Sequence, residues 1–512
     1  MLVKLQLGLV NLTCKLELPP QSRFRVKGDS KLKIDGAEIK SAKKAKRKAE
    51  KKWRKSRQAT DYEMYREAKN TYNKLLNDIR AKDIAKKIND NKGNARNMFK
   101  AINSALNRRQ ELPLPSHDNE KALANEFSEF FDEKIHKIRE KLDSQNTREG
   151  LSETSTYTGE PFKNFRKLGK AEVKKILQNM QNKSCKLDPL PFWLMKECMD
   201  QFLPIITEII NVSLQLGEMP TSLKHAQIKP LSLELIKKNY RPVSNLQFLV
   251  KAIESAVILQ YNEHLSKHNL HDNKQSAYKK FHSSETLLMK IHNDIMSCMN
   301  KGEIVMLVLL DLSAAFDTID HGILLRRLEN VYGIKDTALN WFRSYMYDRT
   351  QSVIMNNTES ERKLLNYGVP QGSKLGPILF NSYIAPVSKI AEANGITDEK
   401  YADDHQLILS FKPKESKDQQ AASKKMEKCI EDIRNFLQNN KLSNNGEKTE
   451  FLLIGSPLLL KQVQITSIDI DDTTIRAVDS ARNLGIILDN QMTLEKQVKK
   501  MCKSAYNNIK NI

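Results

Sequence analysis

Two short stretches of the sequence place carboxylates where they could share a metal ion. Asp311 follows the apolar run from Ile304 to Leu310, and Asp403 and Asp404 stand together in "KYADDHQLILSF". The branched apolar run predicts a buried strand that ends at Asp311, and the second stretch predicts a tight turn between two strands. Each feature also has an ordinary structural explanation, as a helix N-cap and as a polar turn. Together they predict a carboxylate site at neighbouring strand ends.

Carboxylates in this arrangement suit the addition of a nucleotide to a primer 3′ hydroxyl. That reaction requires the hydroxyl to lose its proton and the leaving pyrophosphate to be neutralised, and two Mg²⁺ ions about 4 Å apart can do both. Mg²⁺ prefers hard carboxylate oxygens and keeps water and substrate phosphates as its other ligands. One carboxylate at a rigid strand end and one or two in an adjacent turn would therefore suffice from the protein.

The elements that must position these carboxylates alternate between helix and strand from about residue 160 onward. A helix is predicted over Lys170–Asn182, another directly after Asp311 through "AAFDTIDHGILLRRL", and a third over Pro377–Ile390 behind a loop rich in Gly and Pro. "QLILSF" and "TEFLLIG" predict strands around the helix "KCIEDIRNFLQNNKL", while the polar residues 397–400 predict a weakly held strand before the turn. This order indicates an α+β fold with helices on one face of an antiparallel sheet.

The charge of the chain favours a polyanionic partner. The net charge is +22 and the isoelectric point is near 9.4, and the run from Lys40 to Arg57 contains a single acidic residue, Glu50. Such a run is either a solvated helix or disordered segment, or it contacts nucleic-acid phosphates or serves nuclear import. Amphipathic helices are predicted within residues 61–84 and again within residues 94–109, so this region indicates a basic helical module.

Neither a membrane span nor a disulfide framework is predicted. No run approaches the ~18 consecutive apolar residues of a spanning helix. The six cysteines are scattered, without a C-x-x-C pair, which favours reduced thiols in an intracellular protein over a zinc site. An intracellular location, in the nucleus or the cytoplasm, is therefore expected.

A series of motifs in order carries a resemblance to a known family. "LLDLSAAFDTIDH", "GVPQGSKLGPILF", "YADD" and "NNGEKTEFLLIG" resemble the palm motifs of reverse transcriptases of non-LTR (LINE-type, jockey-like) retrotransposons. "NKSCKLDPLPFWLMKEC", "KNYRPVSNLQFLVKAIE" and "QSAYKKFHSSETLL" resemble its fingers segments, and "SARNLGIILDNQMTLEKQVKK" resembles its primer-grip hairpin and the start of its thumb. The resemblance covers roughly residues 40 to 512 and implies a partial element of this type.

The resemblance implies a right-hand polymerase fold and a division of the chain. It implies an N-terminal tail at 1–39, a basic helical linker at 40–150, fingers at 160–300, a palm with the primer-grip hairpin at 301–490, and the start of a thumb at 491–512. Asp311, Asp403 and Asp404 match the catalytic metal ligands, and the carbonyl of Leu312 would add one ligand. Lys448 matches the lysine that protonates the leaving pyrophosphate.

Five further positions match the family's nucleotide-binding residues. Phe316 stands where a bulky side chain would clash with a ribose 2′ hydroxyl and so select deoxynucleotides. Gln371 and Gly372 of "PQG" match the loop that packs on the incoming nucleotide and template, and Arg241 and Lys279 match fingers positions near the triphosphate.

The function implied is RNA-directed DNA synthesis by two-metal nucleotidyl transfer. Its cofactor would be two Mg²⁺ ions, with Mn²⁺ as a substitute, and its partners an RNA template, a DNA primer or target and dNTPs. The leading alternative is a catalytically inactive nucleic-acid-binding remnant of such an element. An RNA-directed RNA polymerase would share the metal geometry but is disfavoured by Phe316, and an intron maturase would usually add further C-terminal segments.

Overall fold

The structure is a computed structural model that describes residues 37–91, 98, 117, 119–144, 156–183, 185–231, 240–356, 358–470 and 473–510. The predicted N-terminal tail, apart from residues 37–39, and nearly all of the helix predicted within residues 94–109 lie outside the described residues. The described part divides into two compact units, one between residues 115 and 497 and the other between residues 17 and 114 together with 498–510. Each unit is described by itself.

The helices and strands of the described residues follow one another as an α+β succession. The helices are α1 Ala37–Ser56, α2 Ala59–Asp90, α3 Glu120–Ser144, α4 Lys170–Gln178, α5 Phe192–Glu197, α6 Met199–Leu216, α7 Phe248–Lys267, α8 Ser284–Asn300, α9 His321–Asn330, α10 Asp336–Met346, α11 Gly376–Ile384, α12 Pro386–Ala393, α13 Ser416–Asn439, α14 Pro457–Leu460 and α15 Glu495–Lys510. The strands are β1 His225–Leu231, β2 Arg241–Asn245, β3 Ile304–Leu310, β4 Leu312–Ser313, β5 Thr350–Met355, β6 Thr358–Glu359, β7 Lys363–Leu364, β8 Thr397–Tyr401, β9 Asp404–Phe411, β10 Ser443–Asn444, β11 Glu450–Ile454, β12 Ser467–Ile470, β13 Thr473–Arg476, β14 Ser480–Asn483 and β15 Ile486–Asp489. None of the described helices is long and apolar enough to cross a lipid bilayer.

The central sheet of the larger unit is antiparallel, with strand order β11-β3-β9-β8. Strand β3 lies between β11 and β9 and is buried along almost its whole length, as expected for an uninterrupted apolar run. The strands predicted at 304–310, "QLILSF" and "TEFLLIG" are confirmed, and so is the helix between the last two.

Both faces of this sheet are covered, so the expectation of helices on one face only is wrong. Ile304, Met306 and Val308 of β3 join the main hydrophobic core, which includes buried residues of α13. The alternate residues Val305 and Leu307 pack in a second cluster with the apolar face of α8. Because side chains alternate across a strand, an apolar run without polar interruptions requires a cover on each side.

The helix predicted to start directly after Asp311 begins later. Residues 314–320 form an irregular turn, in which Ala314 has φ +50°, and α9 begins at His321 with Asp320 as its N-cap. The helix predicted at 377–390 is confirmed in position, but it is divided into α11 and α12 before Pro386.

A second sheet, with order β2-β1-β5-β6 and β7 alongside β5, belongs to the same unit. Helix α3, although it falls within the predicted linker region, packs on this unit. Phe127 makes an edge-to-face contact with Tyr240, with ring centroids 4.9 Å apart, and Arg139 forms a partly buried ion pair of 2.9 Å with Asp320.

The smaller unit contains a basic helical hairpin formed by α1 and α2, which confirms the helix predicted within residues 61–84. Trp53 stacks on Tyr65 with ring centroids 5.5 Å apart, and Lys52 pairs with Asp61 at 2.9 Å, so aromatic and ionic contacts hold the two helices together. Most lysines and arginines of α1 are exposed to solvent, which leaves a strongly positive helix surface.

Candidate active site

Asp311 stands at the end of the most buried strand of the central sheet. The main chain continues into β4, which pairs with β10, and the Asn445 N–H donates to the Asp311 carbonyl over 2.8 Å. Leu312 faces Asn444 in this short ladder. Hydrogen-bonded and non-hydrogen-bonded pairs alternate in an antiparallel ladder, and Asp311 and Asn445 form a hydrogen-bonded pair. The next pair, Leu312 and Asn444, is therefore not hydrogen-bonded, so the Leu312 carbonyl faces away from β10 and is available as a ligand.

Asp403 lies in the two-residue turn that joins β8 to β9, and Asp404 is the first residue of β9. Tyr401 pairs with Asp404 across the hairpin, so Ala402 and Asp403 form the turn and Ala402 has φ +58°. Leu310 pairs with His405, and the next step of the same register sets Asp311 opposite Asp404. The predicted meeting of a strand end and a tight turn is therefore present in the fold.

The three carboxylates interact electrostatically. Loss of solvation, followed by the negative charges of Asp403 and Asp311, raises the pKa of Asp404 to about 6. The pKa of Asp403 is also raised, mainly by burial and further by Asp311, while the Arg241 guanidinium opposes the rise at both residues. The fold thus concentrates negative charge that a cation would neutralise, and it brings Arg241 to the same place.

Lys448 lies beside this cluster on the short helical turn Gly446–Lys448. Its Nζ is 3.4 Å from Asp311 Oδ2, and its side chain is 68% exposed. The ammonium is therefore close to the carboxylates and still accessible to a substrate from solvent. A solvent-exposed pair of this kind adds little to stability.

Phe316 lies in the irregular turn after Asp311 and not on a helix. Its ring stacks on Phe380 of α11 with centroids 4.6 Å apart and an interplanar angle of 29°. The Val369 N–H donates to the Phe316 carbonyl over 3.0 Å, which fixes the main chain beside the ring. The side chain is only partly buried, so one part of the ring remains open to a ligand.

Gln371 and Gly372 tie this turn to the second sheet. The Gln371 side-chain amide donates to both carboxylate oxygens of Asp317, over 2.8 and 2.7 Å, and its carbonyl accepts from the Ser244 N–H over 2.6 Å. Burial raises the pKa of Asp317 to about 6. Gly372 has φ +125°, and a Cβ there would lie 2.4 Å from the Ser244 carbonyl oxygen, so only glycine fits without a shift of the main chain.

The Lys279 side chain contacts the main chain of Asp272 and not the three carboxylates. Its ammonium donates to the main-chain carbonyl of Asp272, and burial lowers its pKa. Burial, followed by the negative charge of Asp403, raises the pKa of the neighbouring Tyr278, which the sequence reasoning did not single out. Tyr278 is 52% exposed with φ +61°, and no periodicity in the sequence marks it.

The polar strand before the turn is buried, so the expectation of a weakly held strand is wrong. On one face of β8, Lys400 pairs with Asp272 at 2.6 Å, and Asp398 contacts His405 at 3.2 Å. On the other face, Glu399 is 1% exposed and takes two lysine partners. These are Lys274 at 3.0 Å and Lys290 at 2.7 Å.

The cluster supplies hard oxygen donors without a preformed metal cage. Among the described residues, no group of three or more His, Cys, Asp or Glu side chains has the spacing that would by itself hold a metal ion. Mg²⁺ usually takes one or two carboxylates from the protein and its other ligands from water and substrate phosphates. The donor chemistry and the raised pKa values of Asp403 and Asp404 therefore fit a magnesium ion.

Comparison with known proteins gives one family and several relatives. The family described as reverse transcriptase (RNA-dependent DNA polymerase) matches residues 224–488. The probable RNA-directed DNA polymerase from transposon BS of Drosophila melanogaster is 24% identical over 315 residues, which are 59% of this chain and 34% of that protein. The RNA-directed DNA polymerase from mobile element jockey of the same species is 24% identical over 309 residues, 58% of this chain and 32% of that protein. The chain thus spans about a third of the length of these relatives.

Proposed function

The chain belongs to the reverse transcriptase (RNA-dependent DNA polymerase) family, whose match covers just over half of its residues, and we propose that it copies RNA into DNA for a non-LTR retrotransposon. The relatives from the BS and jockey elements confirm the resemblance inferred from the motifs. The observation that carries the proposed activity is the charge cluster formed by Asp311 at the end of β3 with Asp403 in the β8–β9 turn and Asp404 at the start of β9.

In this proposal Asp311, Asp403 and Asp404 hold two divalent ions, with the Leu312 carbonyl as a further ligand. Bound Mg²⁺, or Mn²⁺ in its place, would activate the primer 3′ hydroxyl and neutralise the leaving pyrophosphate. The protein contributes a fixed arrangement of carboxylates, since β3 is rigidly packed on both faces and the turn is closed by strand pairing. Such preorganisation lowers the barrier because the groups need not move at the moment of reaction.

Arg241 and Lys448 would act on the phosphates of the incoming nucleotide. Arg241 is exposed at the start of β2 and acts electrostatically on Asp403 and Asp404, where a triphosphate bound to the ions would lie. Lys448, whose ammonium is 3.4 Å from Asp311 Oδ2, is suited to give a proton to the departing pyrophosphate. Lys279 would need to leave the Asp272 carbonyl to take part.

Phe316 would select the sugar. Its ring is held by Phe380 and by the Val369–Phe316 main-chain bond, so it cannot easily swing away from a nucleotide above it. A ribose 2′ hydroxyl would meet this ring, whereas a deoxyribose would not. This is the reason for preferring DNA synthesis to RNA synthesis.

The right-hand division of the chain into fingers, palm and thumb is part of the same proposal. In this division the strands of the central sheet, β3, β8, β9 and β11, would belong to the palm at 301–490, and β1 and β2 with α4 to α8 would belong to the fingers at 160–300. The other strands of the second sheet, β5, β6 and β7, fall within the palm range. Helix α1 would contact the phosphates of the RNA template or DNA target through its exposed basic residues. A location in the nucleus or cytoplasm would follow from such substrates.

The test is dTTP incorporation on oligo(dT) annealed to poly(rA) with Mg²⁺. Wild type is compared with Asp403→Asn, which keeps the size of the side chain, and with Asp348→Asn, an exposed turn aspartate with φ +58° in the same unit. We expect at least a hundredfold loss of incorporation in the first variant and none in the second. Binding to poly(rA) should survive in both and weaken with salt.

Absence of incorporation by a folded wild-type protein that binds poly(rA) would contradict the proposed activity. That result would favour a nucleic-acid-binding remnant, because phosphate contacts need no intact aspartates. An Asp403→Asn protein as active as wild type would equally contradict the assignment of the site.

A further inference from the structure

Residues 274–276, which lie outside the central sheet, run along the outer edge of β8 next to the aspartate turn. The Lys400 N–H donates to the Lys274 carbonyl over 2.8 Å, and the Ser276 N–H donates to the Lys400 carbonyl over 2.8 Å. Gln275 and Lys400 thereby form a parallel bridge. The edge of the strand that leads into Asp403 is therefore paired with a segment 125 residues earlier, counting from Gln275 to Lys400.

The Gln275 side chain holds the turn itself. Its Oε1 accepts from the Ala402 N–H over 2.9 Å, and its Nε2 donates to the Ala402 carbonyl over 3.1 Å. Oε1 also accepts from the Ala277 N–H over 2.9 Å, which fixes the orientation of the amide from its own side. Gln275 is 1% exposed, so water does not compete for these bonds.

Ala402 needs such support because its backbone is strained. It has φ +58°, in the left-handed region that an alanine adopts at a cost in free energy and that glycine adopts freely. Asp403 follows directly, so the direction of its carboxylate depends on the backbone angles of Ala402. A glutamine amide that satisfies both the N–H and the carbonyl of one residue can keep that residue in an unfavourable conformation.

We propose that Gln275 is a positioning residue for the metal-binding aspartate of the turn, acting through the main chain of Ala402. The inference rests on the proposed function in one respect, namely that Asp403 holds a divalent ion. Without the clamp, Ala402 would relax towards negative φ and the Asp403 carboxylate would turn away from Asp311. The clamp touches neither ion nor nucleotide, so its loss should alter metal affinity and turnover more than nucleotide affinity.

The chain offers a matched control in Gln260 of α7. Its side chain makes the same two-sided contact with one residue, accepting from the Arg166 N–H over 2.7 Å and donating to the Arg166 carbonyl over 3.3 Å. Gln260 is 2% exposed, close to the value for Gln275. Replacement by methionine preserves volume and removes the two-sided clamp at either site, and at Gln275 it also removes the bond from the Ala277 N–H. The cost of losing a buried clamp is thus common to both variants.

The experiment compares Gln275→Met and Gln260→Met in the full chain. Mn²⁺ affinity is measured by electron paramagnetic resonance of the free ion, with Asp403→Asn as the variant that must lose the site. Steady-state incorporation of dTTP is measured beside it, and thermal melting gives the stability of each protein. For Gln275→Met we expect about a tenfold or larger rise in the Mn²⁺ dissociation constant and a similar fall in kcat, as for other residues that orient metal ligands. The KM for dTTP should change by less than about threefold.

The melting temperature of Gln260→Met should be lowered by an amount similar to that of Gln275→Met. Its Mn²⁺ affinity and kcat should stay within about twofold of the wild-type values. The proposal is overturned if the two variants lose the same amount of melting temperature and also have the same Mn²⁺ affinity and kcat. Gln275 would then be a structural residue only. If Gln275→Met does not fold, Gln275→Asn is measured instead, since its amide is one methylene too short to reach both groups of Ala402.

Failure of the positioning role and failure of the proposed activity have different signatures. A wild-type protein that does not polymerise, yet binds Mn²⁺ through Asp403 and loses that affinity in Gln275→Met, supports the positioning role and refutes the activity. A wild-type protein that polymerises while Gln275→Met keeps its Mn²⁺ affinity and kcat refutes the positioning role alone. Mn²⁺ binding that does not depend on Asp403 overturns the positioning role as well.

Discussion

Replacing Gly372 by alanine should separate the loop that carries Gln371 from the second sheet. The added Cβ would lie 2.4 Å from the Ser244 carbonyl oxygen, a main-chain atom that cannot rotate out of the way. The backbone at φ +125° also lies in a region that only glycine occupies readily. The loop must therefore move, and the 2.6 Å bond from the Ser244 N–H to the Gln371 carbonyl is the first contact that it loses.

The expected cost is the sum of two terms. Backbone strain at a glycine-only conformation costs about 1–3 kcal/mol, and the lost buried hydrogen bond costs about 1 kcal/mol more. For a unit of this size the sum of about 2–4 kcal/mol corresponds to a melting temperature lower by roughly 4–8 °C, at about 2 °C per kcal/mol. A displacement on the order of 1 Å at Gln371 should also lower kcat/KM for dTTP about a hundredfold.

Gly485→Ala is the matched control for this prediction. Gly485 has φ +95°, but no atom lies within 4 Å of the position that a Cβ would take, so the variant measures backbone strain without the collision. Differential scanning calorimetry and primer extension on poly(rA)·oligo(dT) are the assays. The argument that the contact with Ser244 holds the loop would be refuted if Gly372→Ala melted at the same temperature as Gly485→Ala and kept the kcat/KM of wild type.

Three further predictions concern the sugar, the charge cluster and the buried strand. Phe316→Ala should raise the rate of rUTP incorporation relative to dTTP by about 10- to 100-fold, measured in parallel primer extensions, because removal of the ring makes room for a 2′ hydroxyl. Since the folded-state pKa of Asp404 is raised to about 6 from 3.8, its ionisation opposes folding, so the contribution of Asp404 to stability without metal is fully present below about pH 4 and is lost as the pH rises through 6. Mg²⁺ should therefore raise the melting temperature at pH 7.5 and lose this effect below pH 5, and an equal effect at both pH values would contradict the charge argument. Glu399→Gln should cost about 1–2 kcal/mol in denaturant unfolding, since the buried Glu399 loses its charge while Lys274 and Lys290, each nearly half exposed, can be resolvated, and a change under about 0.5 kcal/mol would show that these pairs contribute little.

The sequence was sufficient to predict the two main features of the candidate site. The run from Ile304 to Leu310 is too apolar for an exposed element and too short for most helices, so a buried strand that ends at Asp311 was the natural interpretation. A turn between strands was correctly predicted at the aspartate pair, with Asp403 in the turn and Asp404 opening β9, and the sheet pairing brings both to Asp311. Both inferences depend on local pattern, which a single sequence contains.

The errors arose where distant contacts outweigh local pattern. "SAAFD" has the composition of a helix start, but the hydrogen bond from Val369 N–H to the Phe316 carbonyl and the left-handed Ala314 hold this stretch as an irregular turn. Gln275 was missed because its contacts with Ala402 are 127 residues away and a single glutamine in a polar stretch has no periodicity. A glutamine two residues before a small residue and an aromatic is too common a pattern to have identified it.

The polar residues of β8 specify the register of the hairpin that carries Asp403. Asp398 and Lys400 share one face of the strand with His405, while Glu399 faces the two lysines on the other side. Because successive side chains of a strand point to opposite faces, a slip by one residue would exchange these two sets. Glu399 would then face His405 and Asp272, and Lys400 would face Lys274 and Lys290. An apolar strand could slip at little cost, whereas here a slip would leave buried charges without partners, and the penalty for that exceeds the value of the pairs themselves. The strand that seemed too polar for its position is for this reason well suited to fix the turn.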